Sequence, residues 1–402
     1  MREIVLINMN GEDRRGLTAA LTAALAEAGA SVLDIAQSAA HGRVSLNVLA
    51  QLGEGQSFAA QQARIQGVAE AFAQHLQVLQ IDEAAYGRWL DAQREPRHVL
   101  SLLARQVSAE QVARVTAIAE SHGLRVERIE RLSAAAGMGA APTQAAFEFT
   151  LLGQPDDAQA LRSDCLQAAD SLQADIAVQA DSLLRRHRRL AVFDMDSTLI
   201  QAEVIDELAK AAGVGEQVSA ITERAMRGEL DFRASFKERL ALLKGLDIGV
   251  LDEIGASLRL TEGTEALFVE LKRLGYKTAI LSGGFNYFAK QLQVKLGIDY
   301  VFANELAVVD GKVTGVAVEP IVDAQRKADL LRELAQKEGL SLEQTVAVGD
   351  GANDLAMLGI AGLGVAFHAK PLVRRSAKQA VTVLGMDALL YLLGVHDRDR
   401  RA

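Results

Sequence analysis

The chain has 402 residues, half of them apolar and 24% charged, with a formal net charge of −9. That balance belongs to an ordinary soluble globular protein, and the excess of acid excludes a general affinity for nucleic acid or for an anionic membrane surface. An anionic ligand would have to be drawn by local positive charge. Cys165 is the only cysteine, which rules out an internal disulfide and a thiolate metal cage. It stands in a polar stretch with no histidine near it in sequence, and it reads as a small buried residue. The opening Met1-Arg-Glu-Ile-Val-Leu-Ile-Asn8 reads as a strand because its apolar run is too short for a signal peptide. No run approaches the ~20 apolar residues of a membrane span, so the cytoplasm is the expected compartment.

At roughly 150 residues per domain the length suggests two or three domains. Arg2–Asn8 is a short apolar strand, followed by a loop of turn formers, Asn10-Gly-Glu-Asp-Arg-Arg-Gly16,. Leu17–Ala28 is a helix by its alanine and leucine content, with Gly29 as its stop,. Ser31–Ala39 and Val44–Leu52 read as strands, Phe58–Leu76 as a second helix, and the run from Leu76 to Ile81 as a last strand. The order is βαββαβ. After a polar linker, Asp91–Arg97, the order repeats with strands His98–Leu103, Arg125–Leu132, Ala145–Leu152 and Ile176–Gln179 and helices Ala109–His122 and Asp156–Leu172. A pattern that occurs only twice indicates two related α+β modules and not a solenoid. The Gly-rich stretch Ala134–Thr143 is expected to be mobile, and Arg185-Arg-His-Arg-Arg189 to be a solvated linker and not a nucleic-acid patch,.

From Leu190 the rhythm changes. Short apolar strands, Leu190–Phe193, Lys277–Leu281, Thr345–Val348 and Leu363–Phe367, alternate with helices. This is the pattern of a parallel sheet covered on both faces. A helical insertion runs from Glu203 to about Leu258, and Asp310-Gly311 marks a hairpin within Val308–Val316,. The expected organisation is one module over residues 1–90, a second over 96–183, and an α/β domain over 188–402 carrying the insertion at about 203–258.

Ligands of an open parallel sheet bind at the carboxyl ends of its strands. Here those ends carry Asp194-Met-Asp196-Ser-Thr198, then Ser282-Gly283-Gly284, then Asp350-Gly-Ala-Asn353-Asp354, with Lys327 on an element between. Four carboxylates on one rim repel unless a cation is present, and oxygen-only ligands favour a hard ion such as Mg²⁺. Lys327 and the amides around the paired glycines suit phosphate oxygens. One free carboxylate is then left to attack phosphorus, and a second can handle the leaving group's proton.

These segments resemble the four motifs of the haloacid dehalogenase superfamily, over about Leu190 to Leu393. The longer string Asp194-Met-Asp-Ser-Thr-Leu-Ile-Gln-Ala-Glu203, with Leu281-Ser-Gly-Gly-Phe285, is similar to the phosphoserine phosphatases of that superfamily. The resemblance implies a Rossmann-like domain with a helical cap and hydrolysis of O-phospho-L-serine, the last step of serine synthesis. By the same resemblance Asp194 is the nucleophile and Asp196 the acid/base. Mg²⁺ would be held by Asp194, the Asp196 carbonyl and Asp350, with Asp354 acting through water. Ser282, Gly283, Gly284, Lys327 and Asn353 would take the phosphoryl group. Glu203 would face the substrate ammonium and Arg239 its carboxylate, with Met226 and Phe232 as the apolar wall.

The two amino-terminal modules resemble ACT domains, small units that often bind amino acids and usually work in pairs. That implies a homodimer, with Asp13, Gly16 and Ser31 as the residues of an effector site, serine being the expected effector. The second module's loop, Ala104-Arg-Gln-Val-Ser-Ala109, has no glycine and is expected to bind no ligand. Two other readings stand beside this one: a phosphatase for phosphothreonine or phosphohomoserine, and an amino-acid sensor with a relic phosphatase domain.

Overall fold

Residues 3–135 and 144–400 are described by the computed structural model, in two units that divide between Glu95 and Pro96. The loop expected at Ala134–Thr143 falls mostly on residues outside this described set.

In the first unit, alternation of Val5, Ile7 and Met9 along β1 (Ile4–Glu12) sends one face of the strand into the core,. The remaining elements are α1 (Leu17–Glu27), β2 (Ser31–Ala40), β3 (Arg43–Gln51), α2 (Phe58–Ala71), β4 (Gln74–Ile81) and α3 (Glu83–Ala92). The four strands form one antiparallel sheet in the order β2-β3-β1-β4. Leu17, Leu21 and Leu25 of α1 and Ile65 of α2 pack on Val5, Ile7, Val44 and Val48. Three boundaries differ from the sequence expectation. β1 continues through Asn10-Gly11-Glu12 because β4 pairs with it as far as Gly11 and β3 as far as Glu12. The Gln74 Nε2 also donates to the Glu12 carbonyl at 2.9 Å. α2 ends at Ala71, since Ala73 turns the chain with φ of 51° and β4 then pairs with β1 from Gln74 onward. α3, capped by the Asp82 side chain on the Ala85 N–H, occupies residues between the expected last strand and the linker, for which no element is expected, and the linker's first two residues,.

The second unit opens with β5 (Arg97–Ala104), α4 (Ala109–Ser121), β6 (Arg125–Arg131), β7 (Ala145–Leu152), α5 (Ala158–Leu172) and β8 (Asp175–Ala180). Their sheet, β6-β7-β5-β8, repeats the strand order of the first. A single turn, α6 (Leu183–Arg186), leads to β9 (Leu190–Phe193). Then come the insertion helices α7 (Val204–Ala211), α8 (Gly215–Met226), α9 (Phe232–Leu242) and α10 (Gly249–Ser257). They are followed by α11 (Thr264–Arg273), β10 (Lys277–Phe285), α12 (Asn286–Leu296), β11 (Tyr300–Asn304), and the hairpin β12 (Leu306–Val309) and β13 (Lys312–Ala317). The chain closes with α13 (Ala324–Lys337), β14 (Thr345–Gly349), α14 (Leu355–Ile360), β15 (Leu363–Phe367), α15 (Pro371–Ser376), β16 (Gln379–Val381) and α16 (Leu389–Leu392).

Six strands form a parallel sheet in the order β11-β10-β9-β14-β15-β16. The chain leaves β9 toward β10 on one side and returns to β14 on the other, so strand order reverses at β9, where such sheets open a crevice. Every residue of β9, β14 and β15 is buried, as strands covered on both faces must be,. The insertion is closed at its base by an Ile200–Leu260 bridge, with the Gln201 N–H on the Arg259 carbonyl and the Thr261 N–H on that of Leu199, both at 2.9 Å.

The basic run after β8 is not the solvated linker expected of it. Arg185 is buried against Glu148 at 2.7 Å, and buried Arg188 donates to Gln179 Oε1 at 3.0 Å. Polar partners from the neighbouring sheet pull these two guanidinium groups inward. Asp175, at the start of β8, accepts from the Thr382 N–H and hydroxyl at 2.6 and 2.8 Å and from the Val383 N–H at 3.0 Å. The Gln379 amide pairs with both backbone groups of Val178. The second module is thereby fastened to the edge of the parallel sheet. None of the helices among the described residues is long and apolar enough to cross a membrane.

Candidate active site

Asp194 directly follows the last residue of β9, and its N–H donates to the Val348 carbonyl of β14 at 2.9 Å. The backbone of the two central strands therefore fixes where this carboxylate begins. One of its oxygens accepts from the Met195 N–H at 2.7 Å, and the other lies 2.7 Å from Lys327 Nζ. Lys327, near the start of α13, is fully buried and also reaches Asp354 Oδ1 at 2.7 Å. Its own burial opposes its charge, but Asp194 and Asp354 more than offset that and hold the ammonium well above the usual lysine range,.

One ammonium between two carboxylates leaves net negative charge in a dry place. Burial, followed by the charge of Asp194, accordingly raises Asp354 above the usual carboxylate range. Asp350, which follows β14 and accepts from the Thr198 hydroxyl at 2.9 Å, is pushed up to about 6 by burial and then by Asp194. Oxygens of Asp194, Asp350 and Asp354 all lie within 4.8 Å of one another. The set offers no nitrogen or sulfur, and carboxylates forced upward in this way are relieved by a hard divalent cation.

Asp196 is raised well above the usual carboxylate range, by burial first and then by the charges of Glu203 and Asp194. Its Oδ1 is buried without a partner among the described residues. Glu203, just before α7, is also raised by burial; it accepts from the Ser197 hydroxyl at 2.7 Å. Ser197 sits at φ of 53°, the turn that carries the chain away from the sheet.

Ser282, Gly283 and Gly284 lie inside β10 and not in a turn beyond it. Pairing with β11 advances from Leu281–Phe302 to Phe285–Asn304, so β10 carries two extra residues there and bulges toward the site,. A side chain at Gly284 would meet Asp196 Oδ2 at 2.6 Å, and one at Gly283 would meet Phe232 Cζ at 2.8 Å. A methyl at either position would displace a side chain of the site itself. Buried Asn304 braces the bulge, donating to the Gly283 carbonyl and accepting from the Val322 N–H, each at 2.8 Å.

The insertion supplies the other wall. A cavity of about 570 Å³ is lined by Asp194, Asp196, Asp350, Asn353, Ser282 and the paired glycines on the sheet side, and by Glu203, Phe232 and Arg239 on the helical side. Among the described residues Arg239 donates only to the Ser235 carbonyl of its own helix, at 3.4 Å. Burial lowers its pKa, while Asp206, Glu203 and Asp196 hold it up. Met226 ends α8, but its side chain lies outside the described set. Sequence reasoning missed Thr198, Asp206, Asn304 and Lys370, of which Asp206 and Lys370 line the cavity. Thr198 stood within the first motif, and Asp206 follows Glu203 by three residues, so one helical face could have suggested it. Asn304 and Lys370 carried no signal.

Asp13, Gly16 and Ser31 lie in the first unit. Asp13 is exposed on the short turn left between β1 and α1, its N–H on the Gly42 carbonyl at 2.9 Å. Gly16 takes φ of 94° at the start of α1, and Ser31 begins the exposed strand β2.

A haloacid dehalogenase-like hydrolase family profile matches residues 191–359, and an ACT domain profile matches residues 3–80. The chain is 41% identical over 391 residues to a phosphoserine phosphatase of Streptomyces coelicolor, covering 97% of this chain and 92% of that one. It is 38% identical over 397 residues to phosphoserine phosphatase SerB2 of Mycobacterium tuberculosis, with 97% and 93% covered. Among solved structures, it resembles a haloacid dehalogenase family hydrolase of Salmonella enterica serovar Typhi with a TM-score of 0.63, 30% identity, and 73% and 98% of the two chains covered. A probable phosphoserine phosphatase of Vibrio cholerae in unliganded form gives 0.59 and 36%, with 75% and 87% covered.

Proposed function

The chain belongs to the phosphoserine phosphatases of the haloacid dehalogenase-like hydrolases, and we propose that it hydrolyses O-phospho-L-serine to L-serine and phosphate with Asp194 as nucleophile. The observation that carries this reading is the pairing of two aspartates at one strand exit with opposite environments. Asp194 is offset by Lys327, whereas Asp196 is only part-buried as a residue but keeps its carboxyl out of water and faces other carboxylates, which raises it well above the usual carboxylate range, the direction an acid/base needs,.

In the first step a carboxylate oxygen of Asp194 bonds to phosphorus and the bond from phosphorus to the serine oxygen breaks. Asp196 gives its proton to that departing oxygen. In the second step Asp196, now a carboxylate, takes a proton from water as the water oxygen attacks phosphorus. The bond to Asp194 breaks and phosphate leaves. Ser282, the amides of the β10 bulge and Lys327 would hold the non-bridging oxygens, with Asn353 at the same end. Mg²⁺ is the ion we assign to Asp194, Asp350 and the Asp196 carbonyl, with Asp354 behind them; when bound it supplies positive charge against the phosphoryl oxygens.

Substrate choice rests on the insertion. Glu203 suits an ammonium, and Arg239, with no carboxylate in hydrogen-bonding contact among the described residues, presents a guanidinium able to take a substrate carboxylate,. Phe232 and Met226 would close the apolar side. The first module, residues 1–90, would bind an amino-acid effector such as serine at Asp13, Gly16 and Ser31. The second, residues 96–183, would serve as a scaffold for the catalytic domain over 188–402, and the exposed edge strand β2 suits pairing in a homodimer,.

The test is phosphate release from L-phosphoserine, L-phosphothreonine and p-nitrophenyl phosphate, with Mg²⁺ and with chelator. A strong Mg²⁺-dependent preference for phosphoserine is expected. Equal hydrolysis of all three would keep the chemistry and reject the Glu203–Arg239 pocket. No hydrolysis of any would reject the enzyme and favour a sensor.

A further inference from the structure

A larger cavity, about 760 Å³, lies in the second unit between the second βαββαβ module and the parallel sheet. Its walls come from α5 and β8 on one side. On the other stand Leu342 and Glu343 before β14, Ile360–Leu363 leading into β15, and Lys378–Gln379 at the start of β16. These are amino ends of strands in the parallel sheet, whose opposite, carboxyl rim carries Asp194 after β9 and Asp350 after β14, so the cavity is separate from the active site.

The lining combines an apolar surface with three cations that have no anionic partner among the described residues. Leu161, Val178, Ile360 and Leu363 supply the apolar part, while Arg162, Arg188 and Lys378 supply charge. Arg188 is 4% exposed, yet its acceptors are neutral: Gln179 Oε1 at 3.0 Å and the Gly362 carbonyl at 3.4 Å. Its Nε has no partner at all among the described residues. Lys378 donates to the Ala361 carbonyl at 3.0 Å. Arg185, also on the lining, is different, since Glu148 neutralises it at 2.7 Å. Glu343 is the one acid on the lining, and it is exposed.

A buried guanidinium without a counter-charge is costly to hold. Arg188 is pushed down to about 10, by burial first and then by the charge of Arg185. Lys378 is lowered by burial and then by Arg162 and Arg188, so these cations are close enough to repel one another. An anion entering from solvent would relieve all of these costs together.

We propose that this cavity binds a small organic anion, its acidic group among Arg162, Arg188 and Lys378 and its apolar body against Leu161, Val178 and Leu363. The acidic group is a phosphomonoester type or a carboxylate. The ligand would touch both the module and the sheet and so strengthen the docking of one on the other.

The experiment compares the full chain with an Arg162→Gln/Lys378→Gln variant by thermal unfolding in chelator. The probes are phenylphosphonate and benzoate, with benzyl alcohol as the neutral control. One or both anions should raise the melting temperature of the parent chain by about 2–4 °C, and the double substitution should remove that rise. The variant's phosphate release from phosphoserine without probe should equal the parent's. A response to phenylphosphonate alone assigns a phosphate-type ligand, and one to benzoate alone a carboxylate. Should the double variant fold poorly, Lys378→Glu alone serves, and it should abolish the response by repulsion. An unchanged rise in these variants, or no rise with either anion up to about 20 mM, overturns the proposal.

Discussion

The two units treat charge in opposite ways. Among the described residues of the first unit no charged side chain is buried; its buried polar side chains are Gln61 and Gln74. The second unit buries Glu148, Asp175, Arg185, Arg188, Asp194, Glu270, Lys327 and Asp354. Burying charge is expensive unless it is paired and hydrogen-bonded. Where a fold accepts that cost repeatedly, the charges do something a hydrophobic side chain could not. In the second unit most of them do one of two things: Asp194, Lys327 and Asp354 build the carboxylate site, and Arg185, Glu148 and Asp175 fasten the second module, while Glu270 pairs with Arg273 of its own helix. The two ACT-like sheets share one strand order, yet the loop after their first strands diverges. In the first unit it is a polar turn ending in Gly16; in the second Arg105 there reaches Glu262 with two bonds, at 2.8 and 2.7 Å. One module keeps a surface turn, and the other spends the same position on attachment.

The sharpest way to break this contrast is at Asp194. Asp194→Asn keeps the shape but removes the nucleophile, and phosphate release should fall about 10⁴-fold or more, with no acid-stable label on the protein from ³²P-substrate. Residual turnover near the parent rate would mean the buried charge there is structural. Next is Arg185→Ala, which strands Glu148 in the interior. It should cost about 3–5 kcal/mol in chemical denaturation, felt by the second module and the catalytic sheet in one transition while the first unit is spared. A loss below about 1 kcal/mol would mean water replaces the guanidinium.

Arg239→Ala should lower kcat/KM for phosphoserine about a hundredfold, a few kcal/mol, while p-nitrophenyl phosphate loses little. Equal losses on both substrates would place Arg239 at the phosphate or in the framework. A gentler effect comes from pH. Asp350 in the metal-free chain is pushed up to about 6, above its unfolded value of 3.8, so the folded state holds the extra proton between those two values. The stability it contributes therefore falls as pH rises through about 4 to 6, opposite to the usual carboxylate case. A cation must displace that proton, so the Mg²⁺ concentration for half-maximal activity should climb about tenfold per pH unit below 6 and level off above it. A flat Mg²⁺ requirement from pH 5 to 7 would remove Asp350 from the ligand set.

Much of this was legible in the residues, and the failures have physical causes. Buried strands such as Leu190–Phe193 announce themselves because both faces are apolar, and motif residues follow strand ends by steric necessity. Ser282–Gly284 was placed at the right point and given the wrong local form, since a bulge depends on register with β11 and register is not written in one strand. The basic run at Arg185 read as solvated because its partner, Glu148, lies 37 residues away in sequence. Asn304 was invisible for a similar reason: an amide after a strand is ordinary until Gly283 and Val322 are seen on either side of it.

The smallest effect is expected where charge is exposed, and it is the one that gives the first unit its meaning. Asp13 is exposed and sits beside Gly16, whose φ of 94° an L side chain adopts only with strain,. No buried partner depends on Asp13, so Asp13→Ala should leave melting temperature and basal phosphate release within error of the parent. What it should change is the response to added serine, shifting the concentration for half-maximal effect upward by about tenfold as one charged contact to the effector's ammonium is lost. If serine alters the parent and the variant alike, the effector lies elsewhere and the turn is only a connection. If the basal rate itself falls, the first unit is coupled to catalysis without any ligand, and the contrast between a unit with its charge exposed and one with its charge buried would have to be redrawn.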